Sequence, residues 1–440
     1  MLYLLGVVVV FIGIAASIAL HEIGHLVPAK LFRVRCTQYM VGFGPTLWST
    51  RRGETEYGLK AIPLGGYVRM IGMFPPRPGD DGRVRASSSN PLHLMIEQAR
   101  QDSLEEVRPE DTDRVFYKLP VWKRVVVMAG GPLMNLAISA VLITLLMTMQ
   151  GPAFVRPVVS EVAPCANTVV TDEDCTGQEP SPAAAAGFEV GDTIVSVDGT
   201  PVDDWADTTY AIQNAGEQAT FVVDRDGARQ ELTADLVLRE RPLVGADGLP
   251  VLDEQGENVY GEVGFLGASP TIVHEPQPIT AVPGMVGEMF TGTARIVLTL
   301  PQRLVDVSQA AFGTEERDPN GPMSVVGVGR VAGDVTQNGI EGFVESAGER
   351  FWLLVSVLAS LNMALFVFNL IPLLPLDGGH VAGALWEGAK KTWARIFRRP
   401  DPGPVDTAAA LPIAYAVAIG LLGMTVLLIY ADIVRPIQLG

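Results

Sequence analysis

Cysteine, histidine and charge are all scarce in this chain. Three Cys in 440 residues exclude a disulfide scaffold and a Cys-rich zinc module. Charged residues make up 18% against 48% hydrophobic, which excludes a disordered chain and is unlike an ordinary cytosolic enzyme. Cations are the minority, 32 Lys and Arg against 49 Asp and Glu, for a formal charge of −17. A phosphate backbone needs Lys and Arg to neutralise it, so nucleic acid is excluded as a general partner. Only five His are available for imidazole chemistry. The length suggests about three structural units.

The charge is unevenly spread. Residues 151–350 hold 32 acidic residues against 10 Arg and no Lys, and the remainder of the chain is net positive. Four apolar runs explain this division, each near the ~20 residues that a bilayer-crossing helix needs. They are Leu2 to Val27, Val125 to Met149, Phe351 to Leu374 and Ala408 to Ile433. Lys30, Arg33, Arg35, Arg51, Arg52, Lys118, Lys123 and Arg124 separate the first two, and Lys390, Lys391, Arg395, Arg398 and Arg399 the last two. The positive-inside rule makes both of these loops cytosolic and sends the acidic block and both termini outside. No basic region precedes the first run, so it reads as a retained signal-anchor rather than a cleaved leader. Cys165 and Cys175 fall in the exterior block, where they either close a short disulfide loop or stay free; Cys36 reads as a plain cytosolic thiol.

Polar groups stand where lipid should be. The first run ends in His21-Glu22-Ile23-Gly24-His25. Helix residues four apart share a face, so His21 and His25 address one metal ion, with Glu22 one step round as a general base. A catalytic zinc takes a third protein ligand and leaves a position open. Asp377 ranks first for that place and His380 second; His93 and His274 read as surface residues. The first and third runs cross in the same direction, which brings Asp377 to the depth of the two His. Pro372 and Pro375 break the third run, and Gly378-Gly379 reads as a turn after the carboxylate. Asn369 either hydrogen-bonds a substrate carbonyl or packs helices. In Ala129-Gly130-Gly131-Pro132-Leu133-Met134-Asn135 the small residues permit close helix packing, and Asn135 suits a bond across the bundle.

Outside the spans, residues 37–41 and 57–62 read as short strands of a hairpin, either structural or offering an edge to an unwound substrate. Residues 75–118 read as a polar linker, 241–265 as loop, 281–312 as one amphipathic helix and 325–329 as a turn, with 164–181 an insertion. Ser181 to Phe188 followed by Val190 to Gly199 resembles a PDZ core of the protease-associated type, and Asp198-Gly199 is a hairpin signal in its own right.

Taken together, HEIGH at 21–25 and NLIPLLPLDGG at 369–379 resemble the site-2 protease family of intramembrane zinc metalloproteases. So do VGFGPTLW at 41–48, AIPLGGYVRM at 61–70 and AGGPLMN at 129–135. The likeness is greatest to the PDZ-containing actinobacterial type that acts in regulated intramembrane proteolysis. It implies Zn2+ held by His21, His25 and Asp377, Glu22 as catalytic base, and Asn369 as a catalytic residue that positions substrate. The second proline of the family pattern is displaced here, with Leu374 in its place and Pro375 following, while the Asn-to-Asp spacing is kept.

The expected fold is a multi-pass α-helical membrane protein of four transmembrane helices, with a small cytosolic-side β-hairpin and an exterior PDZ-like α+β domain. The expected order is helix 1 at 1–30, hairpin at 31–74, linker at 75–124 and helix 2 at 125–150. A PDZ-like domain at 155–240, an exterior loop and amphipathic region at 241–350, helix 3 at 351–380, a basic loop at 381–407 and helix 4 at 408–434 follow. The implied partners are a transmembrane substrate of the anti-sigma-factor kind, an upstream site-1-type protease and the lipid bilayer of a bacterial inner (cytoplasmic) membrane. The PDZ-like domain either binds peptide or acts as a size filter. A transporter and a catalytically inert PDZ scaffold are the competing classes; the absence of internal repeats counts against the first and the intact Glu22 against the second.

Overall fold

The computed structural model describes residues 2–76, 91–165, 179–246, 248–251, 258–313, 317, 321–339 and 346–436. Two compact units divide the chain, Met1–Met149 with Pro278–Gly440, and Gln150–Gln277. The first unit opens with α1 (Leu2–Leu31), apolar nearly all round, with Leu4, Leu5, Phe11 and Ile12 exposed as on a helix bathed by lipid. A long twisted hairpin follows in place of the expected short strands, β1 (Cys36–Arg52) paired antiparallel with β2 (Thr55–Met70). Gly53, at φ +64°, makes its turn, and repeated register shifts accommodate the other glycines along the ladder. Cys36 is buried at the base of the hairpin, and that burial pushes its thiol up to about 12, so it stays protonated.

Inside the stretch expected to be linker lies α2 (Pro91–Glu105), whose buried Arg100 pairs with Asp406; the side chain of His93 is outside the described residues. After Pro120 the chain enters α3 (Val121–Leu145), continued by a wider turn to Gln150.

The second unit is built on the strands β3 (Ala153–Val162), β4 (Thr193–Val197), β5 (Thr200–Pro201), β6 (Gln218–Arg225) and β7 (Ala228–Asp235). With β10 (Ala268–His274) they form one sheet in the order β10-β3-β4-β6-β7, β5 pairing with β4. Two helices, α4 (Pro182–Ala186) and α5 (Trp205–Gln213), accompany it, and Phe221, Ile194, Val159 and Phe188 fill the core. The β4–β5 turn is Asp198-Gly199, both at positive φ, the backbone that a two-residue hairpin loop demands. Burial would raise the Asp192 carboxyl, but hydrogen bonds from Arg225 and the Glu189 N–H outweigh it and hold the group below the ordinary value of 3.8. The expected loop at 241–265 is corrected by β8 (Val237–Pro242) and β9 (Tyr260–Phe265), which pair in a sheet of their own. Cys165 is disulfide-bonded; Cys175 and most of the expected insertion lie outside the described residues.

The first unit then resumes. The single amphipathic helix expected over 281–312 is two, α6 (Val282–Leu298) and α7 (Leu300–Phe312), because Pro301 sits in the first turn of the second. The expected turn at 325–329 instead opens α8 (Val325–Asn338), capped by the Ser324 hydroxyl. A capping box of Ser346 and Glu349 starts α9 (Ala347–Asn369). The expected basic loop is corrected by α10 (Asp377–Ile396), and α11 (Leu411–Val434) follows. Leu2–Leu31, Val121–Gln150, Ala347–Asn369 and Thr407–Val434 are each long and apolar enough to cross a membrane.

Candidate metal centre

The centre begins with two helices that touch backbone to backbone. A Cβ built on Gly24 of α1 would stand 2.7 Å from the Gly130 carbonyl carbon, and one built on Gly130 of α3 would stand 2.8 Å from that of Gly24. Only hydrogen fits at this crossing. It lays the His21 and His25 face of α1 against α3, where the outer nitrogen of each ring finds a partner. His25 Nδ1 lies 2.8 Å from the Val127 carbonyl oxygen. A carbonyl only accepts, so Nδ1 carries the proton and Nε2 keeps its lone pair for a metal.

His21 Nδ1 lies 3.0 Å from the Asn135 amide nitrogen, while the buried Asn135 Oδ1 has no hydrogen-bond partner among the described residues. Turning the amide over resolves both: the oxygen then accepts from His21 Nδ1–H, and the second imidazole takes the same tautomer as the first. Asn135→Leu should therefore weaken zinc retention against a competing chelator by about 10- to 100-fold. Asn135→Asp, which keeps an acceptor, should hold most of it.

The third group arrives from the far end of the chain. Past Asn369 the segment 370–376 folds under α10, whose first residue is Asp377. Gly378 and Gly379 lie within its first turn rather than in a separate bend. A Cβ on either would strike this segment, at 2.6 Å from the Leu370 carbonyl carbon and 2.7 Å from that of Leu373. The glycines therefore serve a close backbone approach that seats the carboxylate.

Three atoms converge. His21 Nε2 and His25 Nε2 are 3.2 Å apart, and Asp377 Oδ2 is 3.3 Å from each. Ligands about 2.0–2.1 Å from a tetrahedral zinc are separated by about 3.3 Å, so the triangle has the size the ion requires. Among the described residues Asp377 Oδ2 is buried without a hydrogen-bond partner, a cost that a cation in this triangle would relieve. Two imidazoles and a carboxylate leave the fourth position of a catalytic zinc to water or substrate.

Glu22 is buried beside this triangle with β2 packed over it, since a Cβ on Gly66 would stand 2.8 Å from Glu22 Cγ. Tyr39 fastens the hairpin to α1 by donating its hydroxyl to the Ala19 carbonyl at 2.8 Å. Among the described residues, His21, His25 and Asp377 are the one group whose donor atoms gather in this way. His380 turns toward a small cavity beside Arg124 and Thr407 and is not part of it. His274 lies in β10 near the Gly151 carbonyl. Asn369 is spent locally, its amide donating to the Leu365 carbonyl at 3.0 Å. Sequence reasoning gave Asn135 a bond across the bundle but not its imidazole partner, and it missed the steric role of Gly131, whose absent side chain leaves room for both rings.

Known proteins agree with this chemistry. Residues 9–397 match the profile of Peptidase family M50. Zinc metalloprotease Rip1 of Mycobacterium tuberculosis is 34% identical over 450 aligned residues, covering 100% of both chains. The Mycolicibacterium smegmatis protein of the same name is 33% identical with the same full coverage. Metalloprotease MmpA of Caulobacter vibrioides is 27% identical over 88% of each chain. The chain therefore belongs to Peptidase family M50, the site-2 protease family, and is a membrane-embedded metalloprotease whose cofactor is zinc.

Proposed function

We propose that this protease hydrolyses peptide bonds inside the membrane-spanning segments of single-span proteins of the anti-sigma-factor kind, once another protease has trimmed their exterior parts. In this reading His21, His25 and Asp377 hold the zinc, Glu22 is the general base and Asn369 positions the substrate. The observation that carries it is the ligand triangle with a buried carboxylate beside it, on a helix apolar enough to lie in lipid. Bound zinc supplies a Lewis acid that lowers the pKa of water and polarises a peptide carbonyl. Glu22 takes the proton from the attacking water and passes it to the departing amine. Val127 and Asn135 hold the imidazoles in the tautomer that keeps both Nε2 lone pairs inward.

A transmembrane helix hides its peptide bonds in its own ladder, so a substrate must unwind before it is cut. The β1–β2 hairpin is the natural receiver, since it reaches the site at Gly66 and exposes Phe43, Trp48 and Ile62. An unwound segment added along its edge would regain backbone hydrogen bonds. When Asn369 releases the Leu365 carbonyl, its amide becomes free to hold a substrate carbonyl.

The second unit supports a PDZ-like role. A groove of about 290 Å³ runs beside α5, bordered by Trp205, Ile212, Arg241 and Phe265, and suits an extended peptide end. The positive-inside rule sets this acidic unit outside a bacterial inner (cytoplasmic) membrane and the metal centre toward the cytosol.

The test uses the zinc-loaded full chain and a single-span substrate, intact or pre-trimmed, with the cut located by mass spectrometry. The trimmed form should be cut within its apolar segment, cleavage should vanish on chelation, and zinc should restore it. Cuts confined to water-exposed segments, or equal rates on intact and trimmed substrate, would refute the reading.

A further inference from the structure

The helix that begins at Asp377 carries two faces. Toward the protein, Ala384, Glu387 and Ala394 of α10 are buried. Glu387 is 1% exposed and bound by Arg124 of α3, by Lys391 and by the Val405 N–H. These bonds fix which side of α10 turns outward. On that side Leu385, Trp386, Trp393, Ile396 and the following Phe397 all stand between 52% and 68% exposed. Their spacing keeps them within about 120° of one another around the helix axis. Five large apolar side chains on one helix face do not belong in water.

Position and charge name what covers them. The segment 370–376 joins α10 directly to the apolar α9, and residues 397–406 join it to the fourth apolar helix, so both of its ends lie at the ends of spans. A helix so placed, with tryptophans on its apolar face, has the character of one lying in the bilayer interface. Along its outer face the C-terminal half of α10 and the 399–402 segment enclose a groove of about 430 Å³, lined by Trp386, Trp393, Lys390, Arg399, Pro400 and Pro402. Its floor is apolar and aromatic. Lys390 and Arg399 line it as well and make no ion pair among the described residues, in contrast to Lys391, which is committed to Glu387. An apolar slot with uncommitted cations in its lining complements an acyl chain that ends in a phosphate.

We propose that this groove binds an anionic phospholipid, its acyl chain between Trp386 and Trp393 and its phosphate held by Lys390 and Arg399. The inference rests on the membrane-embedded character of the chain and not on the chemistry of the metal centre. Zinc-dependent cleavage measured in the same samples therefore keeps the two readings apart.

The experiment titrates the zinc-loaded full chain in mild detergent with dioctanoyl phosphatidylglycerol, dioctanoyl phosphatidylcholine or glycerol phosphate. Binding is read from tryptophan fluorescence and from the shift in Tm. Both lipids carry a phosphate, but the choline ammonium offsets it in phosphatidylcholine. Each cation beside a net anionic headgroup is worth roughly five-fold in affinity, so phosphatidylglycerol should be preferred by about 25-fold. Lys390→Gln and Arg399→Gln should each remove about five-fold of that preference, and the double variant should bring the two lipids to parity. Trp393→Ala should weaken both lipids alike and leave the preference in place. Unchanged zinc content and elution volume in each variant establish that the fold is kept. Equal binding of the two lipids by the wild type, or a preference surviving in the double variant, would overturn the proposal. Saturation by glycerol phosphate alone would replace it with a free-phosphate site. Fluorescence that responds to protein concentration and not to lipid would replace it with a contact between copies of the chain.

Discussion

Glu22→Gln should abolish cleavage and leave the metal in place. The substitution preserves the shape of the side chain, so the packing of Gly66 over it need not change. Glu22 is not one of the three groups whose atoms converge, and the His21, His25 and Asp377 triangle loses no ligand. What is lost, in the proposed mechanism, is the capacity of the carboxylate to accept a proton from the attacking water, which an amide lacks. General-base catalysis is typically worth 10²- to 10⁴-fold, so turnover should fall by about that factor or more. Zinc measured by elemental analysis should remain at the wild-type ratio. Loss of metal in parallel with activity would mean that Glu22 is a ligand or a support. Retained activity would remove it from the mechanism.

The sequence made some of this centre readable and hid the rest, for reasons that lie in particular residues. HEIGH is legible because helical spacing alone places His21 and His25 on one face, whatever surrounds them. Asp377 lies 352 positions after His25 and is reachable only by adding the direction of each span, a global property that loop charges report. What sequence could not supply was the local backbone near Asp377. Gly378-Gly379 has the composition of a turn, yet the glycines are helical, and they are needed because the 370–374 segment passes against their Cα atoms. The same difficulty hid α8. Its glycine-spaced start reads as a turn until Asp432, more than a hundred residues later, accepts hydrogen bonds from the Ser324 and Gly327 N–H groups. Signals of that kind are tertiary, and no window of sequence contains them. The break between α6 and α7 is by contrast a local signal, carried by Pro301, and the apolar period that continues across it masks it.

The second large effect should come from a residue with no side chain. Gly131 sits on the face of α3 opposite the two imidazoles. A Cβ placed on it would fall inside van der Waals contact of His25 Nε2 and lie 2.7 Å from both His21 Nε2 and His25 Cε1. These are the atoms that face the triangle, so a single methyl group would occupy the volume that the rings and their cation need. Neither neighbour can yield cheaply. His25 is tied through Nδ1 to the Val127 carbonyl and His21 to Asn135, both on α3 itself. Moving α3 away would break the backbone contact that Gly24 and Gly130 make between the two helices. The Gly131→Ala chain must then rotate both imidazoles out of the triangle or part the two helices, and each route removes the zinc ligands proposed above. Zinc affinity should fall by at least the 10- to 100-fold typical of disturbed support around a metal ligand, and cleavage should fall with it. Gly292→Ala is the matching control. It places the same methyl group in α6 where nothing lies within 4 Å, and should leave zinc content and turnover unchanged. Full zinc loading in Gly131→Ala, read by elemental analysis beside that control, would mean that the two histidines do not turn their Nε2 atoms toward α3. The metal would then have to be held by a different set of atoms.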